Sequence, residues 1–109
     1  MNTITTHVLD SVLGKPAAGI RVRLEEYVNG SWILAGQSVT DADGRCRDLM
    51  PNPERGTFRL TFATGEYLAG RGRSTIYPEV IVTFEYSGDT HFHLPLLLSD
   101  NSYTTYRGS

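Results

Sequence analysis

The stretch Ile20-Arg21-Val22-Arg23-Leu24-Glu25-Glu26-Tyr27-Val28-Asn29-Gly30-Ser31-Trp32-Ile33-Leu34 decides the fold class. Ile20, Val22 and Leu24 alternate with Arg21, Arg23 and Glu25, the period of two that gives a strand one apolar and one wet face. Asn29-Gly30 then interrupts the run. A type I′ turn needs positive φ at both central positions, so the segments on either side are expected to pair as antiparallel neighbours. The alternation returns at Phe58, Leu60 and Phe62, and again at Val80, Val82, Phe84 and Tyr86, where only Ile81 interrupts the polar side. Breaks at Gly14-Lys15-Pro16, Asp41-Ala42-Asp43-Gly44, Met50-Pro51-Asn52-Pro53 and Ser87-Gly88-Asp89 divide the chain into roughly seven or eight short strands, the spacing of a β-sandwich. Gly65 to Gly70 alone reads as helical, and a glycine at each end limits it to about one turn.

Length and composition narrow the function. A chain of 109 residues is the size of one domain with one core, so residues 1–109 are expected to form a single unit. With 39% hydrophobic and 20% charged residues it should fold, and its formal charge of −2 gives no electrostatic reason to bind nucleic acid or anionic lipid. No window approaches the ~18 apolar residues of a membrane-spanning helix. Cys46 has no cysteine to pair with, and the N-terminal residues lack a basic region followed by an apolar one, so a cytoplasmic location is expected. No phosphate loop, dinucleotide fingerprint or flavin motif is present, which implies no organic cofactor.

The residues able to carry chemistry sit off the expected core. In the segment ending at Leu98, alternation places Phe92, Leu94 and Leu96 on one face and His91 and His93 on the other. Pro95 interrupts this run and, lacking a ladder donor, predicts an edge strand or a bulge. If Ile4 and Val8 mark the core side of the first segment, His7 also points outward, and a sandwich can set a first strand beside a late one. Outward histidines are most often ordinary surface residues. They also have the spacing of a metal site, with His91 and His93 at i, i+2 and His7 as third ligand. Arg45 follows the turn at Asp43-Gly44, and its planar fork suits a flat substrate with neighbouring oxygens. Arg47, on the same strand face, is its nearest competitor. The segment Tyr103-Thr104-Thr105-Tyr106-Arg107-Gly108-Ser109 is β-prone almost throughout, unlike a frayed chain end.

Four stretches carry a resemblance over essentially the whole chain: His7-Val8-Leu9-Asp10 with Gly14-Lys15-Pro16-Ala17; Asp43-Gly44-Arg45 with Leu49 and Pro51; His93-Leu94-Pro95-Leu96-Leu97-Leu98-Ser99; and Tyr106-Arg107-Gly108-Ser109. Together they resemble the transthyretin-related 5-hydroxyisourate hydrolases. The Tyr-Arg-Gly-Ser segment is the most specific of the four, since it separates the hydrolases from transthyretin, the hormone carrier of the same fold. The resemblance implies an all-β sandwich of two four-stranded sheets with one short helix, assembled as a homotetramer whose central channel holds the active sites. It assigns His7, Arg45, His93 and Ser109 to the site, with Tyr106 close by, and leaves His91 out.

Opening the ring of 5-hydroxyisourate requires water to attack a lactam-like carbonyl, helped by a base and by donors at the developing oxyanion. His7 and His93 suit the proton transfers, with either as base. Arg45 suits orientation of the substrate and stabilisation of negative charge, while Tyr106 and Ser109 close the site or orient a histidine, so deletion of 106–109 or a tag on Ser109 is expected to abolish activity. Neither Ser109 nor Cys46 is expected to be a nucleophile. The competing readings are a non-catalytic carrier of a small aromatic ligand and, third, a metal-dependent hydrolase built on the three histidines.

Overall fold

A computed structural model of the chain describes residues 2–108. Its elements are β1 (Thr3–Asp10), β2 (Lys15–Pro16), β3 (Arg21–Val28), β4 (Ser31–Val39), β5 (Arg45–Cys46), β6 (Gly56–Phe62), α1 (Thr64–Ala69), β7 (Val80–Tyr86), β8 (His91–Leu98) and β9 (Tyr103–Thr105).

They form two sheets, one in the order β4-β3-β6-β7 and the other β2-β1-β8-β9, with β5 also paired to β1. β8 covers one side of β1 along its whole length, so β2, opposite Leu9 and Asp10, and β5, opposite Thr6 and His7, share the other side in tandem. The second sheet counts five segments but is four strands wide, as the sandwich reading expects. Asn29 and Gly30 take φ of 50° and 83°, and the β3–β4 hairpin closes from Val28 and Ser31 back to Arg21 and Val39.

The alternating residues of the quoted stretch meet those of the other sheet in one apolar cluster. Val22, Leu24, Phe58, Leu60 and Phe62 are all buried in it, as are Ile4, Val8 and Leu96. Complete burial of a side chain of this size contributes about 1.5 to 3 kcal/mol, so the cluster dominates the stability of the sandwich. The helix spans only six residues, with buried Tyr67 and Leu68 as its anchors.

Pro95 corrects one expectation. β8 is not an edge strand, because it lies between β1 and β9. The pairs Leu96–Thr105 and His93–Gly108 belong to one register, and the ladder lapses between them, where proline has no N–H to donate. The Thr105 hydroxyl donates to the Pro95 carbonyl at 2.8 Å and takes over part of the lost pairing.

One end of the sandwich closes on a fully buried carboxylate. Asp10 accepts from the backbone N–H groups of Val12 and Leu13, from the Tyr67 hydroxyl at 2.9 Å and from Arg73, whose guanidinium also reaches Asp100 at 2.6 Å. Burial raises its pKa, but the hydrogen bonds from Arg73, Leu13 and Tyr67 and the charge of Arg73 override this and bring it down to about 2. The network ties β1 to α1 and to the loops that carry Arg73 and Asp100.

Candidate functional site

The site is built on the outer face of the sheet that contains β1, β5 and β8. Ile4, Thr6 and Val8 are buried, as are Phe92, Leu94 and Leu96, so the pleat turns His7, His91 and His93 outward. β1 and β8 run parallel with Thr5 opposite His93 and His7 opposite Pro95. The Thr6 hydroxyl, on the buried side, donates to the Leu94 carbonyl at 2.6 Å and pins the two strands at this level.

Arg45 reaches the same face through a tight turn. The Asp41 carboxylate accepts the backbone N–H groups of Asp43 and Arg45, each at 2.9 Å, and Gly44 bends with φ of 78°. The Gly44 carbonyl accepts from the Val8 N–H at 2.7 Å, which docks β5 on β1 and sets Arg45 opposite His7. Among the described residues Arg45 makes no ion pair, leaving its guanidinium available, whereas Arg47 faces Asp41 at 3.9 Å. Arg45 and Arg47 nevertheless line the same open depression of about 490 Å³, together with Thr3, Thr5, Thr6, His91 and His93. The geometry therefore does not separate the two arginines. His7 lies at its side, with its ring centroid 6.5 Å from that of His93.

Burial and neighbouring charge favour the neutral form of both histidines. The His7 pKa is lowered by burial and by the positive charge of Arg45, against opposition from the Asp43 main chain and the Asp41 and Asp43 carboxylates. That of His93 is lowered by burial, Arg45, His91 and His7. A neutral imidazole is the form that accepts a proton. The Cys46 thiol is buried, which pushes its pKa up to about 11 and keeps it protonated.

The tail returns to the site. After β9 the chain stays beside β8, Arg107 lies over the Phe92 ring at 3.9 Å, and Gly108 donates its N–H to the His93 carbonyl at 2.7 Å. Tyr106 is half exposed, and its hydroxyl makes no hydrogen bond among the described residues. Ser109 lies outside the described residues. Among the described residues no three His, Cys, Asp or Glu side chains are grouped to hold a metal ion.

The sequence reading passed over the hydroxyls. Thr5 Oγ1 lies 2.8 Å from His93 Nδ1 and 3.4 Å from His91 Nε2, and Thr3 Oγ1 is hydrogen-bonded to His91 Nδ1. The signal was present in the alternation of Thr3, Thr5 and His7, which share the outward face.

A sequence profile described as the HIUase/Transthyretin family matches residues 4–108. The chain is 45% identical to the 5-hydroxyisourate hydrolase of Mus musculus over 111 residues, covering 97% of this chain and 94% of the relative. The solved structure of Klebsiella pneumoniae 5-hydroxyisourate hydrolase superposes with a TM-score of 0.87 at 36% identity, covering 98% of this chain and 99% of the other. Transthyretin from Sparus aurata superposes with a TM-score of 0.93 at 29% identity, covering 96% and 95%. Backbone shape alone thus fits hydrolase and transthyretin alike. From profile, sequence and structure together, the chain belongs to the HIUase/Transthyretin family.

Proposed function

We propose that this chain is a 5-hydroxyisourate hydrolase, opening the ring of its substrate to give 2-oxo-4-hydroxy-4-carboxy-5-ureidoimidazoline in the breakdown of urate. The observation that carries the proposal is the convergence of His7, His93 and Arg45, which makes no ion pair among the described residues, on one sheet face, with both imidazoles held toward the neutral form. The named relatives at 45% and 36% identity support it independently.

In this reading one histidine takes a proton from water as its oxygen bonds to the carbonyl carbon, and the bond from that carbon to the ring nitrogen then breaks. One water proton ends on the leaving nitrogen. The other leaves with the new carboxyl group, which ionises near neutral pH. Arg45 holds the flat substrate by paired hydrogen bonds and stabilises the developing oxyanion. Tyr106 contributes to substrate binding and Ser109 to the catalytic set, both through the tail. The reaction asks for no organic cofactor.

The active form is a homotetramer of single-domain chains, acting in the cytoplasm. Two features favour assembly: the polar face around His7 and His93 becomes a channel lining when another copy covers it, and Ile76, Ile81 and Leu34 stand exposed elsewhere on the surface. Light scattering should give four times the chain mass, and an active monomer would remove this part of the reading.

The high superposition on transthyretin favours one alternative, a carrier of a small aromatic ligand. A coupled assay from urate and urate oxidase separates the two. A hydrolase speeds the loss of 5-hydroxyisourate in proportion to its concentration, and a carrier leaves the spontaneous decay unchanged.

A further inference from the structure

We propose that Thr5 and Gly108 are positioning residues for His93, clamping its imidazole so that Nδ1 rests on the Thr5 hydroxyl and Nε2 is the nitrogen presented to the reaction. The inference rests on the hydrolase reading and adds to it two residues that act through a histidine.

Thr5 stands opposite His93 across the parallel ladder, and its hydroxyl lies 2.8 Å from Nδ1. A hydroxyl suits an acid–base imidazole better than a carboxylate or a carbonyl does. It accepts from Nδ1–H when the ring is charged or carries its proton on Nδ1, and donates to Nδ1 when the proton is on Nε2. The ring is therefore held through every protonation state it passes through, without a negative charge that would favour the imidazolium. His91 Nε2, 3.4 Å from the same hydroxyl, gives the Thr5 proton a second acceptor when His91 carries its own proton on Nδ1, and so allows the bond to reverse. Among the described residues no hydrogen bond occupies His93 Nε2.

The opposite edge of the ring is held by the tail. Gly108 donates its N–H to the His93 carbonyl at 2.7 Å, which brings its Cα against the imidazole. A methyl group on that carbon would stand 2.9 Å from His93 Cδ2 and 3.3 Å from Pro95 Cγ. Both separations are tighter than ordinary carbon contacts. Pro95 is rigid and buried, so the ring would have to turn, and turning moves Nδ1 off Thr5. Glycine at 108 is thus required by closeness rather than by backbone conformation. Nδ1 and Cδ2 are the two ring atoms bonded to Cγ, so the Thr5 bond at one and the lack of room for a larger residue 108 beside the other bear on rotation about the ring's attachment.

The test compares Thr5→Val, which keeps shape and loses the hydroxyl, with Thr5→Ser, which restores it, and with Gly108→Ala. Steady-state kinetics on 5-hydroxyisourate are read beside nitrogen-15 resonances of the His93 ring, which report its tautomer and hydrogen bonding without turnover. Thr5→Val and Gly108→Ala should each lower kcat by about tenfold to a hundredfold with KM changed less than about threefold, as expected of a misaligned reacting group. Both should shift the His93 nitrogens, and Thr5→Ser should behave as the wild type. Unchanged kcat in Thr5→Val and Gly108→Ala would overturn the clamp, as would a loss of kcat with the His93 resonances unmoved or a failure of serine to rescue. If the wild type does not turn over 5-hydroxyisourate while the resonances respond as stated, the clamp stands and the hydrolase reading falls.

Discussion

His7 stands directly opposite Arg45 in the antiparallel ladder between β1 and β5, and their pairing puts a proton acceptor beside a fixed positive charge. After burial, the charge of Arg45 makes the imidazolium of His7 less favourable. His93 lies on the neighbouring strand with Arg45 among the groups that lower its pKa.

Because both imidazoles lie off the core face, their removal should affect chemistry before stability. His7→Ala and His93→Ala are each expected to lose about 10²- to 10⁴-fold in kcat/KM, the range for a general acid or base, while thermal unfolding stays within a few degrees of the wild type. Wild-type kinetics in both variants would place the site elsewhere.

Arg45 and Arg47 share the depression, so charge alone does not choose between them. If paired, planar hydrogen bonds matter, Arg45→Lys should lower kcat/KM by about a hundredfold even though the charge is retained, and Arg47→Lys should cost little. The reverse ranking in steady-state kinetics would exchange their roles.

The depressed histidine pKa values set the sign of the pH response. An imidazole with a lowered pKa stays neutral to more acid solution, so kcat/KM should hold as pH falls past the ordinary value of about 6.5 and decline only below it. Burial sets this first and the charge of Arg45 second, joined at His93 by His91 and His7 and opposed at His7 by Asp43 and Asp41. A pH–rate profile with its acid limb above that value would contradict the electrostatics described.

Asp10 governs stability rather than chemistry. Its folded pKa of about 2 lies below the ordinary 3.8, so its contribution is complete above the ordinary value and is lost as pH falls through the folded one. Asp10→Asn breaks a buried ion pair and should cost about 3 kcal/mol at neutral pH, with a smaller difference from the wild type at pH 2. Urea denaturation measures this, and a loss under about 0.5 kcal/mol would show that Arg73 and Tyr67 manage without the carboxylate.

Much of this was legible in the chain itself because burial on one face imposes a period of two. Ile20–Leu24, Phe58–Phe62 and Phe92–Leu96 declared their core sides, and the last sent His91 and His93 outward, whereas His7 followed only from taking Ile4 and Val8 as the core side of a segment with no purely apolar face. Pro95 misled because proline excludes itself from interior ladders only where its missing N–H would have been used. Here the pairing partner is also interrupted, which depends on where β9 and the tail lie rather than on local sequence. The two-residue strands β2 and β5 are too short to show any period, and they exist because turns deliver them to one edge of β1. Asp10 and Arg73 are far apart in sequence, so their ion pair left no pattern to read.

The central claim is tested most directly by mixing freshly generated 5-hydroxyisourate with the purified chain and following its disappearance together with the mass of what forms. The account predicts a product heavier by one water molecule, appearing at a rate proportional to the amount of wild-type chain and falling to the spontaneous rate when His7 and His93 are both replaced by alanine. Decay at the spontaneous rate whatever the amount of wild-type chain would contradict it.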